Sequence, residues 1–293
     1  MEFWQAIAHT ETDQLVDVAR LAEELGFGAV TVGDHFVTPA RIDSPYPYTA
    51  DQVPWIAPED SMPDPMVLAA AIAQVTRRLR YFVTCYVLPM REPLSAAKAV
   101  SSAAVLSGNR LILGVGVGWM REEFTLVGQD FSTRGRRCDE MLEILAKLLG
   151  GGMVEHHGEF YDFPPVQMSP VPDRPVPILI AGHSDAAFRR AARFDGWSAA
   201  HYDASEVPAL VARFRKIWSS SGRNASGRSN GSPQVAVALE REPSLDDCKR
   251  LEDAGVTSII HMPLTFHGEA TSTFERKRAA LEGFAERVIV PRR

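Results

Sequence analysis

The sequence predicts an α/β protein folded as a (β/α)8 TIM barrel, and three observations support this prediction. Short apolar runs alternate with helical segments, which is typical of a parallel sheet with helical connections. Eight such units occur along 293 residues, a length that suits a closed barrel better than an open sheet. Several runs end in glycine or histidine, as strands do where a ligand approaches them. An open doubly wound sheet is the alternative.

Each predicted strand is a short apolar run, and a helix with regularly spaced apolar residues follows it. The strands are predicted at 3–8, 29–32, 80–87, 111–115, 178–181, 196–199, 234–239 and 257–261. The helices are predicted at 12–25, 64–76, 93–106, 122–127, 133–149, 185–194, 207–218, 244–254 and 273–288. The proline-rich segment 153–177 is predicted to hold a hairpin near 154–163, and 219–232 to be a mobile surface loop. All of 1–293 is expected to form one domain with insertions at the carboxyl-terminal face.

Composition excludes several classes of protein. The chain is 45% hydrophobic and 23% charged, as globular enzymes are, and its net charge of -6 argues against a nucleic-acid surface. Three scattered cysteines, Cys85, Cys138 and Cys248, predict neither a disulfide framework nor a zinc site. Neither a signal-peptide pattern nor a long apolar run occurs. We therefore expect a soluble, cytoplasmic protein that binds a small molecule and neither nucleic acid nor membrane.

The carboxyl ends of the strands are where a barrel of this kind carries its active site. Four of the eight histidines lie at predicted strand ends, and His35 lies just beyond strand 29–32. Because Asp34 precedes His35, an acid/base or cofactor role for this histidine stands about level with a structural one. No spacing of histidine, cysteine and carboxylate residues indicates a metal, and we predict none.

The segment 109–128, NRLILGVGVGWMREEFTLVG, combines a buried strand with a glycine-rich exit. A dinucleotide fingerprint is excluded, because Trp119 and Arg121 stand where the GxGxxG spacing requires glycine. Alternating glycines either give a ligand room or relieve crowding at the barrel rim. The three glycines are Gly114, Gly116 and Gly118.

Two further segments are candidate parts of the site. The turn Gly182-His183-Ser184 precedes a helix, so its amides could bind phosphate, although a simple Ser184 N-cap explains the pattern equally well. The loop 36–62 carries aromatic residues that either line a pocket or fix the loop to the barrel. The sequence pattern does not decide between the two alternatives at either segment.

The segment 110–140, RLILGVGVGWMREEFTLVGQDFSTRGRRCDE, resembles the bacterial luciferase-like monooxygenase superfamily. The shared pattern is a glycine-rich strand end followed by GW, an EF pair, a G-x-x-F turn and an R-G-x-R-x-D-E helix. AEELGFGAVTVGDHFVTP at 22–39 and PILIAGHSDAAFRRAARFDGW at 177–197 are also similar to it. YPY at 46–48 and LPMREP at 88–93 most resemble the subgroup that uses coenzyme F420, a deazaflavin.

This resemblance implies a barrel whose mouth holds a flavin or deazaflavin. It places a non-proline cis peptide at Cys85–Tyr86, behind the cofactor ring, and a ring contact at His35. It also places the cofactor phosphate at Gly182-His183, where histidine replaces the usual second glycine. Related sugar-phosphate dehydrogenases carry a catalytic glutamate where this chain has Trp119, which argues against that substrate.

Together the residues and the resemblance predict an oxidoreductase that transfers hydride between reduced F420 and a small organic substrate, with His35 as the proton donor or acceptor. The alternatives are an FMN-dependent monooxygenase served by a separate reductase, and a non-redox cofactor-binding barrel. The resemblance also implies a homodimer. The expected cofactor contacts are His9, Asp34, His35, Thr84, Cys85, Tyr86, Gly116, Gly118, Trp119, Ala181, Gly182, His183 and Ser184. The expected substrate contacts are Tyr46, Tyr48, Trp55 and His201.

Overall fold

The computed structural model describes residues 1–49, 51–54, 56–221, 231–262 and 273–292. The strands in this part of the chain are β1 (Glu2–Ala6), β2 (Ala29–Val32), β3 (Arg80–Val87), β4 (Leu111–Gly116), β5 (Met153–His157), β6 (Asp162–Gln167), β7 (Ile178–Ala181), β8 (Gly196–Tyr202), β9 (Gln234–Leu239) and β10 (Ser258–His261). The α-helices are α1 (Leu15–Leu25), α2 (Pro65–Val75), α3 (Pro93–Leu106), α4 (Arg121–Leu126), α5 (Arg134–Leu149), α6 (Asp185–Ala191), α7 (Val207–Ser220), α8 (Leu245–Ala254) and α9 (Phe274–Phe284). A π-helical turn, Ala285–Ile289, continues α9.

Eight parallel strands form a closed barrel in the order β1-β10-β9-β8-β7-β4-β3-β2, which confirms the predicted fold class. The first and last strands close it, with Phe3 opposite Ile259 and Trp4 opposite Ile260. Strands β5 and β6 form a separate antiparallel pair, which confirms the predicted hairpin. Because every barrel strand points the same way, all their carboxyl ends meet at one mouth.

Apolar side chains fill two layers, as expected for a barrel surrounded by helices. A larger layer packs the outer face of the strands against the helices. Inside the barrel, Trp4 and Phe82 pack with their ring centres 5.0 Å apart, which plugs the interior below the mouth. The inner cluster consists of Trp4, Ala29, Phe82, Ile112, Leu179, Ala236, Ala238 and Ile260.

Local signals explain several boundaries. Helix α2 starts where the Asp64 side chain accepts hydrogen bonds from the amides of Met66 and Val67, with Pro65 in the first turn. Helix α1 ends at Gly26, whose φ of 91° is the left-handed conformation that glycine adopts at low cost. Within the described residues, no helix has the length and apolarity that a bilayer-crossing segment needs.

The structure differs from the predicted elements mainly at their ends. Strand β1 stops at Ala6, two residues early, and α1 begins at Leu15 because residues 12–14 form turns. Strand β8 continues to Tyr202, with an irregular register between Ala199 and Tyr202. The predicted mobile loop at 219–232 lies largely outside the described residues.

The predicted cis peptide at Cys85–Tyr86 is wrong by one residue. The non-proline cis bond joins Thr84 to Cys85. The register between β3 and β4 shifts between Val83 and Tyr86, and Tyr86 already pairs with Val115. The irregular residues are therefore Thr84 and Cys85, at the point where β3 reaches the mouth.

Candidate functional site

A cavity of about 1400 Å³ opens at the carboxyl ends of the barrel strands. The cavity reaches down to the strand ends because the side chains there are small. Ordinary ligand pockets are about 300–1,000 Å³, so this one has room for a three-ring cofactor together with a substrate. The alanines that line it at or next to the strand ends are Ala6, Ala8, Ala181, Ala199, Ala200 and Ala238.

Most of the predicted site residues lie around this cavity. Tyr86 does not line it, because its ring lies beneath the Arg91 guanidinium, 3.9 Å from the ring centre. Trp55 lies outside the described residues. The predicted residues that line the cavity are His9, Asp34, His35, Tyr46, Tyr48, Thr84, Cys85, Gly116, Gly118, Trp119, Ala181, Gly182, His183, Ser184 and His201.

His35 is held by a buried carboxylate. Its Nδ1 lies 2.7 Å from Oε2 of Glu123, a side chain that is only 2% exposed. The other oxygen, Oε1, accepts the backbone amide of Phe36 at 2.8 Å. Since a carboxylate oxygen accepts, Nδ1 donates, and Nε2 is the ring nitrogen that can face the cavity. The pair can therefore take up or release a proton at Nε2.

The neighbouring Glu122 fixes the long loop after β2. Its Oε1 accepts the amides of Asp43 and Ser44 at 2.7 and 2.9 Å, and its Oε2 accepts the Ser44 hydroxyl at 2.7 Å. Burial raises the pKa of Glu122, but these hydrogen bonds outweigh burial and hold the pKa below its usual value. The two consecutive acids of α4 therefore anchor the loop and orient His35.

Asp34 has a structural partner. Its carboxylate makes two bonds to the Arg91 guanidinium, at 2.7 and 2.8 Å, and accepts the Val87 amide at 2.8 Å. Both side chains of the pair are at most 9% exposed. The carboxylate thus joins the end of β2 to the end of β3, and the cofactor contact expected of Asp34 stays a prediction.

The rim glycines make room for protein atoms. A Cβ on Gly116 would lie 2.2 Å from Sγ of Cys85. A Cβ on Gly118 would lie 2.6 Å from the Phe124 ring and 2.7 Å from Val87, and the φ of Gly118 is +82°. Relief of crowding at the rim is therefore a sufficient reason for glycine at both positions, and contact of these glycines with a cofactor stays a prediction.

The turn after β7 is held by a hydrogen bond from a buried tryptophan, and it ends in the N-cap of α6. Gly182 has a φ of +112°, and its carbonyl accepts a hydrogen bond from Nε1 of the buried Trp197 at 2.6 Å. The Ser184 hydroxyl accepts the Ala187 amide at 3.2 Å and so caps α6. Ser184 is therefore the N-cap of α6, and His183 is exposed at the cavity edge. Phosphate binding at this turn stays a prediction.

Aromatic rings form a row across the mouth. The ring of Tyr46 lies 5.0 Å from Trp119 and 5.4 Å from Tyr48, and Tyr48 lies 5.7 Å from His183. The row connects the β4 side of the barrel with the β7 side. Burial, with a smaller effect of the nearby Cys85, raises the pKa of Tyr46 to about 12, so this phenol stays neutral.

Two further histidines face the cavity from backbone positions with positive φ, His9 at 59° and His201 at 59°. Nδ1 of His9 lies 3.1 Å from Oδ2 of Asp60, which also accepts the Ala57 amide at 2.8 Å. Burial lowers the pKa of His201 to about 4. His201 is therefore neutral at pH 7.

Several functional residues were missed from the sequence. Glu123 stands beside the apolar Phe124 on the buried side of α4, and an acid in such a position requires a partner; that signal was available. Asp60 and Arg91 gave no such signal, because their partners are about fifty residues away. Within the described residues, no group of three histidine, cysteine or carboxylate side chains is placed to hold a metal ion.

Comparison with known proteins shows which family the chain matches. Residues 2–285 match the family described as luciferase-like monooxygenase. An uncharacterised protein of Mycobacterium tuberculosis is 39% identical over 292 residues, which cover 99% of each chain. This relative's activity is not known, so it adds similarity without assigning a reaction.

Solved structures show the same fold. The monooxygenase RslO1 from Streptomyces bottropensis superposes over 100% of both chains with a TM-score of 0.75 at 18% identity. An F420-dependent secondary alcohol dehydrogenase, in complex with an F420–acetone adduct, superposes over 98% of both chains with a TM-score of 0.75 at 13% identity. The family match covers nearly the whole chain, and the protein therefore belongs to the luciferase-like monooxygenase family.

Proposed function

We propose that this protein is an oxidoreductase that binds coenzyme F420 and transfers hydride between it and a small organic substrate. The observation that supports this most is the His35–Glu123 pair at the edge of a cavity large enough for both molecules. The F420 subgroup is favoured by YPY at 46–48 and LPMREP at 88–93. Membership of the family is compatible with either a flavin or a deazaflavin as the cofactor.

The chain's residues suit a two-electron reaction. The bound deazaflavin supplies or accepts the hydride. Glu123 orients the His35 ring, so Nε2 can give a proton to the substrate as it is reduced, or take one as it is oxidised. Residues 43–48, anchored by Glu122, bring Tyr46 and Tyr48 over the mouth and restrict water.

Asp34 and Arg91 have a supporting role in this proposal. Their buried pair holds the ends of β2 and β3 together, so His35 on one strand end and the Thr84–Cys85 bulge on the other keep a fixed separation. Burial, with a smaller effect of Asp34, raises the pKa of the Cys85 thiol to about 12. The thiol that lines the cavity is therefore neutral, and we assign it a packing role.

Fluorescence titration of the purified protein with F420 and with FMN tests the proposal. We expect F420 to bind at micromolar concentration and at least about tenfold more tightly than FMN. Tighter binding of FMN, accompanied by oxygen consumption when reduced flavin is supplied, would instead identify a flavin-dependent monooxygenase. Binding of neither below about millimolar concentration would contradict a cofactor-dependent oxidoreductase altogether.

A further inference from the structure

A second histidine–carboxylate pair lines the cavity, and the proposed reaction does not use it. Nδ1 of His9 lies 3.1 Å from Oδ2 of Asp60, and both residues line the cavity. The two side chains are 21% and 25% exposed, so the protein shields this pair from much of the solvent. Because the carboxylate takes up Nδ1, the ring nitrogen that can meet a ligand is Nε2.

The surrounding chain fixes both members of this pair. The φ of His9 is 59°, a left-handed conformation that is uncommon outside glycine and that clusters at functional sites. Oδ2 of Asp60 also accepts the Ala57 amide, at 2.8 Å, which sets the direction of the carboxylate. The hydroxyls of Thr12 and Ser61 bond to each other and join the segment after β1 to the loop after β2 at a second point. The ring is therefore held in place before a ligand arrives.

This pair lies on the side of the mouth away from the turn at Gly182–Ser184. In the closed order of the strands, β1 and β10 lie opposite β7 and β4. Strand β1 is also the neighbour of β2, and His9 follows the end of β1 as His35 follows the end of β2. A ligand group held by His9 therefore lies beside the strand end that carries the proton-transfer group of the proposed reaction.

The cavity wall on the β1 side is mostly apolar. Alanines of β1 and β9 line it, and larger apolar side chains come from the loop after β2 and from β10 and the residue that follows it. Among the described residues that line this side, no lysine or arginine accompanies Asp60. An ionised ligand group would lose hydration here and gain no opposite free charge in return. The larger apolar residues are Ile56, Met62, Ile260 and Met262.

We propose that His9, positioned by Asp60, binds the hydroxyl or carbonyl oxygen of a substrate that is uncharged and otherwise apolar. An imidazole nitrogen donates or accepts a hydrogen bond according to its protonation, and a hydroxyl group can do either in return. The apolar body of the substrate packs against Ile260 and Met262.

Both kinds of charged substrate are disfavoured by the same pair. A carboxylate meets the negative charge of Asp60, and an ammonium group finds Oδ2 of Asp60 already bonded to His9 and to the Ala57 amide. That the bound molecule is the substrate rests on the proposed function. Binding of an uncharged compound by the cofactor-free protein does not rest on it.

Titration of the cofactor-free protein with four compounds of one shape, followed by ligand-observed NMR at pH 7, tests this contact. The probes are α-methylbenzyl alcohol, ethylbenzene, α-methylbenzylammonium and the carboxylate hydratropate, which carry a hydroxyl, a hydrogen, an ammonium and a carboxylate on the same carbon. We expect His9→Asn to bind the alcohol about three- to tenfold more weakly than the wild type does, which is the effect of one hydrogen bond. Asparagine tolerates the positive φ of this position. Ethylbenzene should bind both proteins alike, and both charged probes should bind the wild type more weakly than the alcohol does.

Thr12→Ala is the matched control. It removes the other side-chain bond between the segment after β1 and the loop after β2, and Thr12 does not line the cavity. This variant should bind the alcohol as the wild type does. The proposal is overturned if the wild type does not bind the alcohol, if His9→Asn binds it equally well, if Thr12→Ala loses as much affinity as His9→Asn, or if a charged probe binds more tightly than the alcohol.

Nitrogen NMR spectra of the histidines give a readout that a purely structural role would not move. The His9 resonances are assigned by their absence from the His9→Asn spectrum. Saturation with the alcohol should shift the Nε2 resonance of His9, and the shift should be smaller in Asp60→Asn, whose neutral amide holds the ring less firmly. An Nε2 resonance that stays unchanged at saturation would contradict the contact. Failure of F420 to bind would contradict the proposed function and leave these titrations to decide the role of His9.

Discussion

At the scale of single residues, two histidines of the site are each held by a carboxylate that contacts the ring nitrogen Nδ1. Glu123 lies 2.7 Å from Nδ1 of His35, and Asp60 lies 3.1 Å from Nδ1 of His9. Each carboxylate also accepts a backbone amide of the loop after β2. A shift of that loop would therefore change both histidines, so loop and proton-transfer groups are coupled by hydrogen bonds.

His201 predicts a pH dependence of stability. Burial lowers its folded-state pKa from 6.5 to about 4, so between these values the unfolded chain binds the proton and the folded protein does not. Stability should be complete above about pH 6.5 and decline as the pH falls towards 4, by up to about 3 kcal/mol from this residue.

The measurement is urea unfolding of the wild type and of His201→Asn between pH 4 and 7. Asparagine tolerates the positive φ of this position, so it keeps the backbone while removing the titration. The difference in unfolding free energy between the two proteins should change across this interval. A difference that stays constant with pH would show that His201 does not titrate as inferred.

At this scale the sequence located the site better than it assigned roles. Their position at strand ends identified His35, Asp34 and Cys85 as residues of the mouth, because all the parallel strands of a barrel end there. The roles depend on partners distant in sequence. Arg91 occupies the Asp34 carboxylate, and no local pattern relates two residues that are 57 positions apart.

At the scale of elements, the β3–β4 pair is irregular where it reaches the mouth of the barrel. Thr84 and Cys85 leave the β3–β4 register, and the Cys85 side chain enters the space that a side chain at Gly116 would fill. The regular strands were predictable from apolar runs alone. The bulge was placed one residue too late, because its position is set by which residues resume pairing with β4.

Gly116→Ala should destabilise the protein by about 1–3 kcal/mol, since its methyl group would lie 2.2 Å from Sγ of Cys85. In a Cys85→Ala background the same substitution should cost at least about 1 kcal/mol less, because the clashing sulfur is gone. Unfolding free energies of the four proteins of this cycle give the coupling.

Gly33→Ala is the matched control, because a Cβ there meets no atom within 4 Å and the change should cost less than about 1 kcal/mol. If the two backgrounds give Gly116→Ala the same cost, Cys85 is not the reason for glycine at this position.

At the scale of the whole molecule, the two ends of the chain close the barrel together. Strand β1 pairs with β10, and the fully buried ammonium of Lys277, on α9, bonds to Glu11 at 2.5 Å and to Gln14 at 2.9 Å. Eight strand–helix units in sequence made closure predictable. This buried ion pair was not predictable, because a lysine on a charged helix ordinarily faces water.

The two halves of this ion pair should respond unequally to mutation. Glu11→Gln replaces the carboxylate bonded to this buried ammonium by a neutral amide and should lower the unfolding free energy by about 3 kcal/mol. Lys277→Met keeps the apolar stem, and the Glu11 side chain is 30% exposed, so water can solvate it and the cost should be about 1 kcal/mol or less. Chemical denaturation measures both, and equal costs would contradict this account of the closure.

The central claim is that a deazaflavin ring occupies the cavity between the Thr84–Cys85 bulge and His35. A crystal structure of the protein soaked with F420 tests it most directly. We predict the ring within the cavity, against Thr84 and Cys85, with Nε2 of His35 directed at the ring and Nδ1 still bonded to Glu123. A ring bound elsewhere on the molecule, or a His35 whose Nε2 is directed away from the bound ring, would contradict the account.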